Sequence, residues 1–365
     1  MTMWLIILVA VLAAFAAGTV YLTVAVGRFG LIKKLSGDKK WLKGLISFGI
    51  ITIIFAALVL LTSVVNAIII LLSSLMFFLI YGLIFRIIRA VRKKEFACNW
   101  AGWLSIATSV IYLCTGYYLC FHIWQKDYHL TTDKNIGKLR IAMFADSHLG
   151  TTFDGEGFAA QMERIMEQSP DIVLLPGDFV DDSSNREDMV RACEAMGNMK
   201  PKYGVWYCYG NHDKGYYGDE HRGFSADDLA SELKKNGVHI LEDEHETFDN
   251  LTILGRRDKS DSGRAEMSEL MKDIPSDSYI IVLDHQPNDY ANEAAAKADL
   301  VVSGHTHGGQ LFPVTYVGEW FNINDRTYGY EKRDNTDFIV TSGISDWEIL
   351  FKTGTKSEYV IIDIN

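Results

Sequence analysis

The hydrophobic pattern divides the chain into two parts with different periodicities. Long uncharged apolar runs fill the first third, and a bilayer span needs about 20 apolar residues. The longest run extends over 42 residues, from Gly44 to Phe85, which is too long for one helix and fits a hairpin of two. We predict a membrane domain over residues 1–125 with four transmembrane helices, at about residues 4–27, 44–62, 67–85 and 100–124.

The first of these spans has a competing interpretation as a cleaved signal peptide. It lies at the N-terminus and ends in small residues. It lacks a basic segment before the apolar run, however, and three further apolar runs follow it. We therefore favour a retained helix over a signal peptide.

From residue 139 onward the apolar runs are short and β-branched, and they alternate with segments of helical periodicity. The predicted strands are Leu139–Ala145, Asp171–Leu175, Gly204–Tyr209, Val238–Leu241, Leu251–Leu254, Tyr279–Leu283, Asp299–Ser303, Phe338–Thr341 and Tyr359–Ile362. The predicted helices are Phe158–Gln168, Arg186–Met196 and Asp227–Lys235. This alternation predicts an α/β domain over residues 139–365, joined to the membrane domain by a polar linker at 126–138.

Charge follows the same division. Residues 1–125 contain 11 of the 35 basic residues and two of the 46 acidic residues. The rest of the chain therefore has 24 basic and 44 acidic residues, a net charge of −20. So acidic a domain repels a polyanion, and we exclude nucleic acid as a partner.

The basic residues of the membrane domain lie in two loops. One loop separates the first and second spans and the other separates the third and fourth, whereas the turn between the second and third carries no charge. Basic loops tend to stay in the cytoplasm. The pattern predicts a multi-pass protein of the cell membrane whose C-terminal domain is extracytoplasmic, with the spans serving as an anchor in the lipid bilayer.

Polar side chains follow five of the predicted strands, at the point where each strand ends. They are Asp146 and His148, then Asp178, then Asn211, His212 and Asp213, then His285, and finally His305 and His307. Such loops can converge, because strand ends of open α/β sheets meet at a common edge. Carboxylate, amide and imidazole donors without cysteine suit Mn²⁺, Fe or Zn²⁺. Their number fits two divalent ions about 3.5–4 Å apart better than one.

These blocks resemble the calcineurin-like metallophosphoesterase superfamily, whose pattern is D-x-H, G-D, G-N-H-[DE], a lone H, and G-H-x-H. The resemblance implies a four-layer α/β sandwich with a dinuclear metal centre. It implies that Asp146, His148 and His307 bind one ion, that Asn211, His285 and His305 bind the other, and that Asp178 bridges them. It also implies phosphoester hydrolysis by a metal-bridging hydroxide, with His212 giving a proton to the leaving oxygen and Asp213 orienting His212.

The segment Gly304–Gln310 (G-H-T-H-G-G-Q) resembles the membrane-associated bacterial branch of this superfamily. That branch implies a phosphomonoester, phosphodiester or pyrophosphate substrate, and we favour a lipid-linked one because the spans hold the site near a bilayer. Relatives tend to have an arginine-containing stretch in the closing loop, where this chain has Phe351 and Lys352, so substrate contacts cannot be carried over there.

A second function remains open, a non-catalytic membrane receptor or scaffold that binds a phosphorylated ligand. The presence of His212 and all seven predicted metal ligands favours the enzyme, because binding alone does not require the full set. Two smaller expectations concern the same domain. Asp181 and Asp182 are predicted to cap the following helix rather than to hold a water molecule, and Cys193 and Cys208 are not expected to pair. Oligomeric state is left unassigned.

Overall fold

A computed structural model describes residues 2–37 and 39–365. Its chain divides into two compact units, Met1–Thr115 and Gly116–Asn365. The division falls within a helix, so the last residues of that helix belong to the second unit.

The first unit is helical. Its helices are α1 (Thr2–Val26), α2 (Gly30–Ser36), α3 (Lys40–Leu61), α4 (Val64–Arg92) and α5 (Trp100–Phe121), the last of which continues into the second unit. Four of them, all except α2, are long and apolar enough to cross a membrane. They correspond to the four predicted spans, and α2 lies in the predicted basic loop.

Helix α1 packs against α3 and α4 through a small cluster that includes Leu22, Ile51, Leu71 and Phe78. Many other apolar side chains of these helices face outward, for example Leu60, which is 87% exposed. Helices that are apolar on their outer faces match a hydrocarbon environment rather than water.

The second unit contains two six-stranded sheets. Its strands are β1 (Trp124–Leu130), β2 (Leu139–Met143), β3 (Ile172–Pro176), β4 (Val205–Cys208), β5 (Val238–Ile240), β6 (Glu244–Phe248), β7 (Leu251–Gly255), β8 (Tyr279–Leu283), β9 (Leu300–Ser303), β10 (Gly329–Arg333), β11 (Thr336–Val340) and β12 (Glu358–Ile364). The first sheet has the order β1-β12-β2-β3-β4-β5 and the second β10-β11-β9-β8-β7-β6. In the first sheet β2, β3, β4 and β5 are parallel, and in the second β7, β8, β9 and β11 are parallel.

Seven helices and one 3₁₀ turn complete the unit. They are α6 (Gly155–Met166), α7 (Arg186–Asn198), α8 (Asp219–Arg222), α9 (Ala226–Lys235), α10 (Met267–Leu270), α11 (Tyr290–Ala295), α12 (Val317–Trp320) and the turn His307–Gly309. The three predicted helices correspond to α6, α7 and α9, which begin at capping residues Asp154, Asn185 and Ser225.

The period-two alternation of the strands produces three apolar layers. In β3, Ile172 and Leu174 point into the cluster between the two sheets, whereas Val173 and Leu175 point into the cluster beneath α6, α7 and α9. A third cluster lies between the second sheet and helices α10 and α11, and Tyr290 stacks on Phe338 there. The unit is therefore a four-layer α/β sandwich, as predicted.

One boundary differs from the prediction. Most of β1 falls in the stretch interpreted as a linker, yet β1 pairs in parallel with β12 from Trp124 opposite Glu358 to Leu130 opposite Ile364. Its sequence reads as linker because β1 is an edge strand, and its exposed face carries polar and charged residues. The α/β fold therefore begins at about residue 124 and leaves almost no linker after α5.

Candidate metal centre

The polar residues identified from the sequence all lie in loops at the carboxyl ends of parallel strands. The loops after β2, β3 and β4 come from the first sheet, and those after β8 and β9 come from the second. Five of the seven predicted ligands have positive φ: Asp146 (55°), His148 (35°), Asp178 (51°), His305 (70°) and His307 (48°). Such backbone strain costs about 1–3 kcal/mol per residue and concentrates at functional sites.

Two groups of possible ligands form at this edge. Asp146, His148 and His307 form one group, and Asp178, His285 and His305 form the other; within each group the ligand atoms lie within 4.8 Å of one another. The Asn211 Oδ1 atom lies 3.2 Å from His285 Nε2, which places Asn211 beside the second group. The structure thus brings together all seven residues predicted to bind metal.

Asp178 lies between the two groups. Its Oδ2 atom is 3.5 Å from His148 Nε2 and 3.1 Å from His285 Nε2, one imidazole from each group. Its Oδ1 atom accepts a hydrogen bond of 2.9 Å from the backbone amide of His212. One carboxylate therefore faces both groups and also fixes the loop after β4.

The loops approach too closely for larger residues. A side chain at Gly304 would place its Cβ 2.8 Å from Asp146 Oδ2, closer than Cβ atoms are found to other groups. The glycine that begins the predicted G-H-x-H block is required by this close approach.

Three of the imidazoles have an oxygen atom close to their Nδ1 atom, and in His285 and His148 this contact is a hydrogen bond. His285 Nδ1 donates to the carbonyl of Pro176 at 2.9 Å, and His148 Nδ1 donates to Asp181 Oδ2 at 3.1 Å. His307 Nδ1 lies 3.3 Å from Asp346 Oδ1. Metal-binding histidines usually have such partners, which fix the ring and direct the other nitrogen toward the ion.

Two of these acceptors were not found by sequence reasoning. Asp181 was expected to cap a helix, but Asn185 caps α7 and Asp181 instead contacts His148. Asp346 lies 39 positions after His307, outside every motif. The chain offers no local signal for it, because its role comes only from the loop that brings it beside His307.

The site is electrostatically suited to metal ligation. Burial alone would raise the pKa of Asp178, but His285 and His148 hold it well below its usual range, so the carboxylate is ionised. Burial, together with the neighbouring His285, lowers the pKa of His305 to about 3. Burial likewise lowers the pKa of His307 to about 3. An ionised carboxylate and neutral imidazoles, as in Asp178, His305 and His307, are the forms that bind metal. Burial would lower the pKa of His148 and of His285, but the carboxylates of Asp181 and Asp178 raise the first and that of Asp178 raises the second.

Unsatisfied buried atoms also fit metal ions. Asp146 Oδ2 and His148 Nε2 are buried and make no hydrogen bond within the described residues. A buried polar atom without a partner costs about 1–3 kcal/mol, and a divalent ion in this group would satisfy both. The donor set contains only nitrogen and oxygen, which suits Mn²⁺, Fe or Zn²⁺. Two divalent ions therefore fit the two groups.

His212 lies beside the two groups without belonging to either. Its ring is 5.1 Å from that of His148, 5.2 Å from that of Tyr216 and 4.9 Å from that of Trp347, measured between centroids. These three rings pack around the imidazole of His212, which is partly exposed.

Asp213, which is predicted to orient His212, is held by the backbone. Its carboxylate accepts hydrogen bonds from the backbone amides of Asp178, Phe179, Val180 and Gly210, at 2.6–3.1 Å. Burial raises the pKa of Asp213 to about 6. Asp213 thus ties the Asp178 loop to the Asn211 loop.

The departure at Lys352 has a structural explanation. Lys352 is fully buried, and its ammonium donates to the carbonyls of Ser342, Gly343 and Ser345 and lies 3.9 Å from Asp346 Oδ1. Burial raises the pKa of Asp346 to about 7, although Lys352 acts in the opposite direction. Lys352 therefore supports the closing loop that presents Asp346 to His307, and the buried ammonium is not available to a substrate.

Lys352→Met should destabilise the second unit. The change leaves three carbonyls without their hydrogen-bond donor and the buried Asp346 carboxylate without its neighbouring cation. Breaking a buried ion pair from one side costs about 3–5 kcal/mol. A lower Tm of the detergent-solubilised full chain, followed by differential scanning fluorimetry, would show the loss. Lys272→Ala, which removes an exposed ion pair with Glu269, is the control and should leave the Tm unchanged. Equal Tm values for the two variants would contradict the role of Lys352 in supporting the closing loop.

Asp181→Asn and Asp346→Asn should each weaken metal binding in the first group. Loss of a hydrogen-bonded partner of a metal-binding imidazole typically lowers metal affinity by about 10–100-fold. Equilibrium dialysis of the full chain against Mn²⁺, with metal content determined by mass spectrometry, measures the change. Asp133→Asn, at an exposed position, is the control; an unaltered affinity in both variants would show that these acids do not support ligation.

Comparison with known proteins agrees with this geometry. Residues 139–309 match the family model of the calcineurin-like phosphoesterases. The chain is 27% identical over 232 residues to an uncharacterized metallophosphoesterase of Campylobacter jejuni, covering 62% of this chain and 59% of that protein. It is 28% identical over 241 residues to a transmembrane protein with a metallophosphoesterase domain of Danio rerio, covering 62% of this chain and 53% of that protein. The chain thus spans little more than half the length of these two relatives.

A third relative is more similar in sequence. An uncharacterized metallophosphoesterase of Aquifex aeolicus is 30% identical over 187 residues, which cover 49% of this chain and 67% of that protein. The family-model match ends at Gly309, immediately after the last of the predicted ligands. Taken with the four-layer sandwich and the two groups of ligands, these matches show that the chain belongs to the calcineurin-like phosphoesterase family.

Proposed function

We propose that the chain is a membrane-held phosphoesterase that uses two divalent metal ions to hydrolyse a phosphomonoester, phosphodiester or pyrophosphate. The observation that carries the proposal is the position of Asp178, whose Oδ2 atom faces an imidazole nitrogen of each ligand group, at 3.5 Å and 3.1 Å. A carboxylate in this position suits a bridging role between Asp146, His148 and His307 on one side and Asn211, His285 and His305 on the other.

Divalent ions in such a site, when bound, offset the charge that develops on the phosphoryl oxygens and lower the pKa of water. The protein's own residues supply position and protons. Asp178 and Asp213 lock the loops after β3 and β4 together, which keeps His212 next to the ligand groups. His212 then gives a proton to the leaving oxygen as the phosphorus–oxygen bond breaks.

The substrate and metals are proposed on chemical grounds. The donor set favours manganese, iron or zinc, with manganese the first to test. The acidic domain disfavours nucleic acid, and four apolar helices in the same chain favour a lipid-linked phosphoester over a freely soluble one. A receptor that only binds phosphate would not need His212 enclosed beside a double ligand set, so catalysis is favoured over binding alone.

The proposal is tested by turnover of para-nitrophenyl phosphate and bis-para-nitrophenyl phosphate. The full chain in detergent and lipid is stripped with a chelator, and Mn²⁺, Fe²⁺ or Zn²⁺ is then added back. Turnover that disappears on chelation and returns with metal supports a hydrolase. Absence of turnover from a chain that binds two metal ions per molecule would contradict catalysis and favour a phosphate-binding module.

We further propose that the chain is multi-pass and that the second unit is extracytoplasmic, because basic residues alternate between loops. In intact cells, a membrane-impermeant thiol reagent should then label Ser276→Cys, an exposed position before β8. It should not label Lys39→Cys in the first basic loop, which serves as the matched position. Labelling of position 39 without labelling of position 276 would reverse the proposed topology.

A further inference from the structure

The second unit exposes one concentrated apolar segment, residues 311–323, which we call the lip. Among residues 122–365, ten large hydrophobic side chains are exposed, and six of them belong to the lip: Phe312, Val314, Tyr316, Trp320, Phe321 and Ile323. Trp320 and Phe321 are 68% and 72% exposed. Exposed apolar patches of this kind mark surfaces that bind another apolar phase.

The lip also lacks charge that would favour water. Its sequence contains a single charged residue, Glu319, and the Glu319 carboxylate accepts a hydrogen bond from the backbone amide of Thr327 at 2.5 Å. Aromatic side chains with little charge are enriched where proteins meet the interfacial region of a bilayer.

The lip is tied to the metal-binding loops at both ends. It begins directly after the turn His307–Gly309, which contains a predicted ligand. At its far end, the Asp325 amide donates to Pro287 O at 2.8 Å, and Thr306 Oγ1 donates to Thr327 O at 2.6 Å. The lip is therefore attached at both ends to the loops that carry His285, His305 and His307.

The lip is also connected, within the second unit, to the end of the last apolar helix. The amides of Thr353 and Gly354 donate to Gln310 O at 2.8 Å and 3.0 Å. The neighbouring Lys352 amide donates to Gly116 O at 3.0 Å, near the end of α5. Because α5 is a candidate membrane span that ends at Phe121, this short path of hydrogen bonds connects the lip to the end of a helix that is apolar enough to lie in a bilayer.

We propose that the lip inserts into the interfacial region of the membrane and that the metal centre receives the phosphoester headgroup of a lipid from that same bilayer. This inference rests on the proposed function and specifies its substrate class as a phosphoester with an apolar chain. The attraction is apolar, because the lip has no basic residue. Insertion therefore takes place in zwitterionic as well as anionic membranes.

Insertion is measured by collisional quenching in the full chain. The exposed Cys98 and Cys114 are replaced by alanine, and bimane is attached at Phe321→Cys. The control label is Asn335→Cys, an exposed position before β11, at the sheet edge opposite the metal-binding loops. In phosphatidylcholine vesicles with brominated acyl chains, the label at position 321 should be quenched at least about threefold more than that at 335, as expected for insertion of roughly 5–10 Å.

Equal quenching at the two positions would overturn insertion. A disulfide-linked dimer of Phe321→Cys without quenching would also overturn it, because a second copy of the chain would then cover the lip.

Substrate delivery is measured with two para-nitrophenyl phosphodiesters that differ only in their second ester group, ethyl or hexadecyl. The full chain is reconstituted in phosphatidylcholine vesicles that contain the hexadecyl ester. Trp320→Asp/Phe321→Asp should lower hydrolysis of the hexadecyl ester about tenfold or more, since charge at the lip opposes insertion, and should leave hydrolysis of the ethyl ester unchanged. Ser276→Asp/Asn335→Asp adds the same charge at the opposite edge and should change neither.

The outcomes separate the two proposals. Wild-type turnover of both esters with an unchanged ratio in the lip variant would overturn lipid delivery while leaving the phosphoesterase intact. Wild-type turnover of neither ester would overturn the proposed function and the substrate class together, and the quenching result would still decide insertion.

Discussion

Asp178→Ala is expected to remove bound metal and phosphoesterase turnover together. Its carboxylate faces both ligand groups, so its loss should weaken the binding of both ions rather than of one. Lewis-acid stabilisation by metal ions contributes several kcal/mol to such reactions, and the rate should therefore fall by roughly 10⁴-fold. Metal content by mass spectrometry and turnover of para-nitrophenyl phosphate, on the same full-length preparation, measure the two effects.

Asp277→Ala provides the control for this change. Asp277 is an exposed carboxylate just before β8, at the end of the strand opposite His285, and its removal should alter neither metal content nor rate. Size-exclusion chromatography of both variants shows whether the chain remains folded. Retention of two metal ions by Asp178→Ala would rule out the bridging role.

His212→Ala is expected to separate metal binding from catalysis. His212 contacts the rings of His148, Tyr216 and Trp347 but does not belong to either ligand group, so the variant should keep its metals. Removal of a general acid lowers rates by on the order of 10²–10⁴-fold. The loss should be largest for alkyl esters, because their leaving oxygen needs a proton more than para-nitrophenolate does.

The comparison of alkyl and nitrophenyl esters distinguishes proton donation from a purely structural role. A structural defect would lower both rates by the same factor. His129→Ala, at an exposed position near the end of β1, is the matched histidine control and should leave both rates unchanged. Loss of metal from His212→Ala would mean that His212 is itself a ligand.

The site residues that could be predicted are those whose residue type and position after a buried strand already indicate metal binding. His305 and His307 stand out because a double histidine after a buried strand is rarely needed for packing, and the same holds for Asp146 and His148. Asp346 and Asp181 do not stand out, since an acid in a loop acquires its role only from the imidazole that folding places beside it. Asp213 stands out as part of the motif that contains His212, but the motif does not reveal its partners, which are four backbone amides.

The strands show the same limit. Buried strands such as β3 and β8 are predictable from continuous apolar runs. The edge strand β1 is not, because only one of its faces needs to be apolar. Lys352 was equally unpredictable, since a buried lysine requires acceptors that come from Ser342, Gly343 and Ser345 in the folded loop.

The inclusion of β1 in the sheet replaces a flexible linker after α5 with a hydrogen-bonded strand. A flexible linker of thirteen residues would let a tethered domain wander by about 20 Å. Here only His122 and Ile123 separate the end of α5 from β1, and β1 is hydrogen-bonded along its length to β12. The residues that follow α5 are consequently fixed in the first sheet, so that the end of this helix and the sheet of the second unit move as one piece.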